Sequence, residues 1–202
     1  MLWGDSFAAH LAPGIALEPT ALQHNVLQFT RMVCAPILPP SRQSPACERF
    51  NNEALSIMKR YDVEEVYLSA QWAGYLGSRF EAADLRRTIE AVQADGRRVV
   101  LLGQPPLFSF ADPRHGISRR DAQRMRTEPI DALHRPRPKA EAALQAVGHP
   151  MLQPVQALCR GLTCTIAADG EWLFYDYGHL STYGSRLTVR WLARELGRQT
   201  AK

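Results

Sequence analysis

Leu2-Trp3-Gly4-Asp5-Ser6 stands at the head of the sequence, and the fold is read outward from it. Leu2 and Trp3 are the apolar end of a strand, Gly4 and Asp5 supply a tight bend, and the residues from Phe7 onward read as a helix. Ser6 therefore falls at a strand-to-helix turn. Such a turn exposes the hydroxyl and leaves the free N–H groups of the first helix close by, where a developing negative charge can be received. Only Met1, Leu2 and Trp3 precede the bend, where a buried parallel strand has about five or six residues. The expectation is that the chain is a piece of a longer protein.

Downstream, apolar strands alternate with amphipathic helices. Phe7 to Leu17 has helical spacing, limited by Pro13 and Pro19, and His24 to Thr30 alternates polar and apolar residues as a second strand. The segment from Cys34 to Cys47 carries Pro36, Pro39, Pro40 and Pro45 and is read as a loop that cannot be regular, beside Ser6. Glu48 to Arg60 reads as a helix, Glu65 to Ala70 as a buried strand opening at Gln71-Trp72, and Glu81 to Ala94 as a helix stopped by Asp95-Gly96. Val99 to Gly103 is the clearest core strand, ended by Pro105-Pro106. Lys139 to Val147 is read as helical, Met151 to Leu158 as a last strand region, and Thr182 to Gly197 as a closing helix that turns Leu187, Trp191 and Leu196 inward. This alternation predicts an α/β fold, three layers α/β/α around a central parallel sheet, in a single domain over residues 1–202. In such sheets ligands bind outside the C-terminal strand ends, where Ser6, Gln71-Trp72 and Gln104-Pro105 fall.

From Leu107 to about Pro138 the regularity lapses, and this stretch is read as an irregular basic insertion. Between Arg114 and Lys139 there are eight basic residues against three acidic ones, Asp121, Glu128 and Asp131. A loop of this length is either a solvated polar excursion or a lid that attracts anionic glycan or lipid headgroups.

Composition narrows the class. The 202 residues are 46% hydrophobic with a net charge of +4, too mild a basic balance to argue for nucleic acid, and no repeat or low-complexity run is present. No run approaches the roughly 20 apolar residues that cross a bilayer, so the chain reads as soluble. The four cysteines allow three connectivities, of which the local one, Cys34 with Cys47 and Cys159 with Cys164, fits the spacing best. The alternative is four buried thiols in a cytosolic enzyme. Neither pair has zinc-ribbon spacing, so no metal is expected, and no cofactor motif occurs.

The chemistry turns on a second stretch, Tyr175-Asp176-Tyr177-Gly178-His179-Leu180-Ser181. A serine hydroxyl is a weak nucleophile until a base takes its proton. Asp176 and His179, three residues apart, let a carboxylate reach one imidazole nitrogen and leave the other facing outward. Each residue also has a plainer role: Ser6 as a helix cap, and Asp176 as the cap of the closing helix with His179 in its first turn. Asp5 is read as a turn residue, and His10, His24, His115, His134 and His149 as structural or exposed.

With Gly4-Asp5-Ser6 at the first strand's end and Asp176-x-x-His179-Leu180-Ser181 near the C-terminus, the sequence resembles the SGNH (GDSL-type) hydrolases. Within them it is most similar to the periplasmic SGNH domains fused to acyltransferase-3 membrane proteins, which modify bacterial surface glycans. The resemblance implies Ser6 as nucleophile, His179 as base and Asp176 as its partner, acting as an O-acyl, above all O-acetyl, transferase or esterase on surface carbohydrate. It also implies an acyl donor, a carbohydrate acceptor, a membrane acyltransferase portion upstream and a periplasmic or other extracytoplasmic location. The runner-up is a free-standing carbohydrate or lipid esterase, and a third reading is a catalytically silent glycan-binding module. The family's usual Gly-x-Asn-Asp block is missing: the matching strand end reads Ser69-Ala70-Gln71-Trp72. The oxyanion and substrate contacts are therefore expected from the Ser6 N–H, a loop N–H near Cys34 or Ala35, and Gln71 and Trp72, with Trp72 either a packing aromatic or a substrate platform.

Overall fold

The computed structural model describes residues 1–18, 22, 25–39, 42–116 and 123–200, with backbone alone at 115, 116, 199 and 200. His24, Pro19, Pro40, Arg119, Arg120 and Asp121, all invoked from the sequence, lie outside the described residues. The chain forms two compact units: Met1–Ala9, Val26–Gln104 and Arg137–Leu152 in one, and His10–Asn25, Pro105–Pro136 and Gln153–Lys202 in the other.

The first unit is built on a five-stranded, wholly parallel sheet ordered β2-β1-β3-β4-β6, from β1 (Leu2–Gly4), β2 (Gln28–Thr30), β3 (Glu65–Ser69), β4 (Arg98–Leu102) and β6 (Met151–Leu152). β1, Val66–Ser69 and Val99–Leu102 are buried throughout, as unbroken apolar runs between helical layers must be. Gly4 pairs with Thr30 on one side and Ser69 on the other, so the loops after β1, β2 and β3 leave the sheet at the same end. Packed on this sheet are α1 (Ser6–Ala9), α3 (Pro45–Arg60), α4 (Ala82–Gln93) and α5 (Pro138–Ala146).

α3 buries Cys47, Asn51, Ala54 and Met58, one stripe at helical spacing. It begins earlier than the sequence suggests. The Ser44 hydroxyl accepts from the Cys47 N–H at 3.3 Å and Pro45 occupies the first turn, where a proline's missing N–H costs nothing. The prolines therefore exclude regular structure only up to Ser44. α4 buries Leu85, Thr88, Ile89 and Val92, and the first strand after it follows the left-handed Gly96 (φ +80°).

The second unit holds α2 (Ala12–Leu17), α6 (Val155–Leu158), α7 (Thr182–Thr200) and an antiparallel sheet ordered β5-β8-β7, with β9 also on β8. Its strands are β5 (Ile130–Leu133), β7 (Cys159–Arg160), β8 (Thr163–Ala168) and β9 (Glu171–Trp172). Two departures from the sequence reading fall here. The stretch 107–138, read as irregular, contributes β5. Met151–Leu158, read as a strand region, is two strand residues followed by the short helix α6 after Pro154. Gly14 sets the approach of α2 to α7: its N–H donates to Ser185 Oγ at 2.8 Å, and a Cβ there would lie 2.5 Å from the Ser185 carbonyl oxygen. On α7 Val189, Trp191, Leu192 and Leu196 are buried, and Leu187 is half-buried. Both local cysteine pairs are joined, Cys34–Cys47 and Cys159–Cys164. No helix among the described residues is long and apolar enough to cross a membrane.

Candidate active site

In the first unit the site begins at the bend after β1. A Cβ on Gly4 would sit 1.8 Å from the Ser69 carbonyl oxygen, so only glycine allows β1 to lie this close to β3. Asp5 is buried, and its carboxylate is divided between two backbone donors: the Phe7 N–H at 2.7 Å and the Gln71 N–H at 3.1 Å. It thereby tethers the start of α1 to the loop after β3. Ser6 is the first residue of α1 and is half-buried.

The loop after β2 supplies Ala35. Its carbonyl accepts from Asn51 Nδ2 at 2.8 Å, Gln43 Nε2 at 3.1 Å and the Ile37 N–H at 2.8 Å, while Asn51 Oδ1 accepts from the Trp3 indole at 2.9 Å. Ala35 is fully buried, and its N–H donates to nothing among the described residues. A buried donor without an acceptor costs about 1–3 kcal/mol. Such donors usually have a purpose.

Trp72 is corrected. Its side chain is fully buried and the indole N–H donates to the Leu102 carbonyl at 2.7 Å, so it locks the end of β3 to β4 and offers no face to a substrate. Beside it, buried Gln104 accepts the Ala73 N–H at 2.7 Å through Oε1.

The second unit carries the Asp176–His179 pair. Asp176 Oδ2 and His179 Nδ1 are 2.7 Å apart, and Asp176 Oδ1 accepts from the Gly178 and His179 N–H groups at 2.9 and 2.7 Å. Both carboxylate oxygens are thus committed to orienting this loop, and the imidazole is held with Nδ1 on the acid. The cap of α7 is Ser181, whose Oγ accepts the Gly184 N–H at 3.1 Å; capping by Asp176 is not what forms. A bridge between Phe174 and Leu180, with Tyr175 N–H to His179 O at 3.1 Å and Ser181 N–H to Leu173 O at 2.9 Å, closes the loop.

Three rings surround the imidazole: Tyr175 stacks at 5.6 Å between centroids, Tyr177 meets it edge-on at 6.0 Å, and His10 edge-on at 6.1 Å. The Tyr175 phenol is pushed up by partial burial and then by the Asp176 charge, so it remains a neutral face. His10, read from the sequence as belonging to no constellation, belongs to this one. It is buried, its Nδ1 accepts from the Leu180 N–H at 3.3 Å, and burial, followed by the nearby His179, pushes its pKa down to about 3. It is a neutral hydrogen-bonding prop. No cluster of His, Cys, Asp or Glu suited to a metal occurs among the described residues.

The model of the SGNH domain (fused to AT3 domains) matches residues 1–194. The chain belongs to that family. Among solved structures, the SGNH domain is similar to the periplasmic domain of a lipopolysaccharide acetyltransferase from Salmonella ser. Paratyphi A, at 20% identity with a TM-score of 0.74, covering 100% of this chain and 82% of that one. At that identity the likeness speaks to the fold, a three-layer α/β/α arrangement around a parallel sheet. No curated protein sequence matches the SGNH domain.

Ser6, Asp176 and His179 stand out in the sequence as candidates because each sits in a short motif. In the sequence Gln104 falls at a strand's C-terminal end, whereas His10, which carries no motif, is left outside the site. The one signal for His10 was its spacing of four residues from Ser6, a single helical turn.

Proposed function

We propose that this SGNH domain is a serine-dependent O-acyl transferase or esterase, transferring in the first instance an acetyl group, that acts on bacterial cell-surface carbohydrate. The observation that carries the reading is the 2.7 Å contact of His179 Nδ1 with Asp176 Oδ2 in a chain of this family. An imidazole so held presents Nε2 as a base. Ser6 Oγ attacks the carbonyl carbon of an acyl ester or thioester while His179 Nε2 takes its proton. The oxyanion is received by the Ser6 and Ala35 N–H groups, the tetrahedral adduct collapses, and the leaving group takes the proton from His179. An acceptor hydroxyl then repeats the sequence in reverse, giving up its proton to His179 as Ser6 is released. If the acceptor is a sugar hydroxyl the result is transfer; if it is water, hydrolysis.

Three features support the assignment of roles. Asp5 ties the backbone just after Ser6 to the loop after β3. The buried Ala35 N–H lacks an acceptor among the described residues. His10, four residues after Ser6 in the sequence, lies against His179. Family members are fused to AT3 domains, and we place the acyl supply in such a membrane portion; two disulfides suit an oxidising, extracytoplasmic setting.

The missing asparagine block favours a second reading, a silent glycan-binding module. Turnover of an activated acetyl ester separates the two. The first reading expects hydrolysis that is lost in Ser6→Ala and His179→Ala, and faster acyl release when oligosaccharide is added. Wild-type protein with no turnover above buffer would leave the binding module.

A further inference from the structure

The antiparallel sheet of the second unit walls a cleft of about 610 Å³ that plays no part in the chemistry above. Its volume lies within the range of small-ligand sites, about 300–1,000 Å³. Residue register explains its lining. Asp131 pairs with Thr165 and Arg160 with Thr163 across β8; directly paired residues share a face, and residues two apart on a strand share it too. Asp131, Arg160, Thr163 and Thr165 therefore project from one side, while Cys164 and Ile166 are buried on the other. Gln156 of α6 and the buried Leu173 also line it, together with apolar groups that include Leu158 and Leu187.

Neither Asp131 nor Arg160 forms an ion pair or side-chain hydrogen bond with another described residue, unlike Glu18, which holds both Arg186 and Arg190. The Cys159–Cys164 disulfide staples the β7–β8 wall, so these groups stand on a rigid support. Leu173 ties the cleft to the acid–base loop: its carbonyl accepts the Ser181 N–H, two residues beyond His179.

We propose that this cleft is a sugar-binding subsite for the acceptor glycan, an inference that rests on the acyl-transfer reading above. The lining matches a polyhydroxylated neutral ring. Sugar hydroxyls donate and accept at once, as required by a carboxylate that only accepts, a guanidinium that only donates, and an amide and two threonine hydroxyls that do both. Leu173 meets the C–H face. Asp131 and Arg160 together leave the lining with no net formal charge, which suits a neutral sugar.

The test is amide-shift NMR on the whole 202-residue chain titrated with methyl glycosides of neutral hexoses and 6-deoxyhexoses. At least one glycoside should shift amides of β5, β7 and β8 with a Kd of about 1 mM. The affinity should fall about tenfold or more in Arg160→Gln and in Asp131→Asn, and also in Thr165→Val, whose shape change is minimal. Shifts confined to other elements, no shifts with any glycoside, or undiminished binding by folded variants would overturn the subsite. Ser6→Ala is expected to bind as wild type. Binding without ester turnover in the wild type would sink the acyl-transfer reading and spare the cleft; turnover without binding would do the reverse.

Discussion

His179 has one nitrogen bound to Asp176 and a ring bounded by Tyr175, Tyr177 and His10, an arrangement that fixes tautomer and direction together. Asp176→Asn keeps the shape but no longer fixes the proton on Nδ1; we expect kcat to fall by up to about 10⁴-fold with little change in KM, checked by steady-state kinetics on an acetyl ester. Trp72→Phe removes the buried indole donor to Leu102. Unfolding measurements should show a loss of about 1–3 kcal/mol, with KM unchanged. A KM rise without loss of stability would restore Trp72 to the substrate. His10 gives the fold a pH dependence. Its pKa is pushed down to about 3 in the fold against 6.5 ordinarily, so between those values the unfolded chain binds the extra proton. Stability from this source is complete above pH 6.5 and drains as the pH drops towards 3, by about 1.4 kcal/mol per pH unit. Denaturant unfolding from pH 6.5 downward should show that slope in the wild type and a flatter one in His10→Gln, which retains an acceptor but does not titrate. The proposed catalytic trio was legible in the sequence because Gly4-Asp5-Ser6 and Asp176-x-x-His179 are local patterns. His10 was not, because its place beside His179 and Leu180 comes from residues far away along the chain.

The elements divide by the same logic. β3, β4, α3 and α4 could be read directly, since a buried parallel strand is an apolar run and a helix on a sheet shows a stripe at helical spacing. The antiparallel sheet could not: β7 and β9 have two residues each, too short for any alternation. Their signal lay in the turns. Gly161-Leu162 joins β7 to β8 with Gly161 at φ +60°, and Asp169-Gly170 joins β8 to β9 with both residues at positive φ, the backbone that two-residue hairpins demand. The disulfides act at this scale. Loop-closure entropy assigns about 3 kcal/mol to the 13-residue separation of Cys34–Cys47 and about 2 kcal/mol to the 5-residue separation of Cys159–Cys164. The first also pins the loop bearing Ala35, so Cys34→Ala with Cys47→Ala should lower both Tm and ester turnover. An unchanged rate in a folded variant would remove Ala35 from oxyanion stabilisation.

At the level of the whole chain, the proposed nucleophile and its base come from different compact units: Ser6 from the first, Asp176 and His179 from the second. The proposed activation of the hydroxyl by the imidazole therefore calls on residues of both units. The most direct measurement is intact-mass and peptide mapping after exposure to a serine-directed organophosphonate. We expect a single adduct on Ser6 in the wild type, its formation slowed at least about 10³-fold in His179→Ala and abolished in Ser6→Ala. No adduct, an adduct on another serine, or Ser6 labelling that is indifferent to His179 would contradict the serine–histidine assignment.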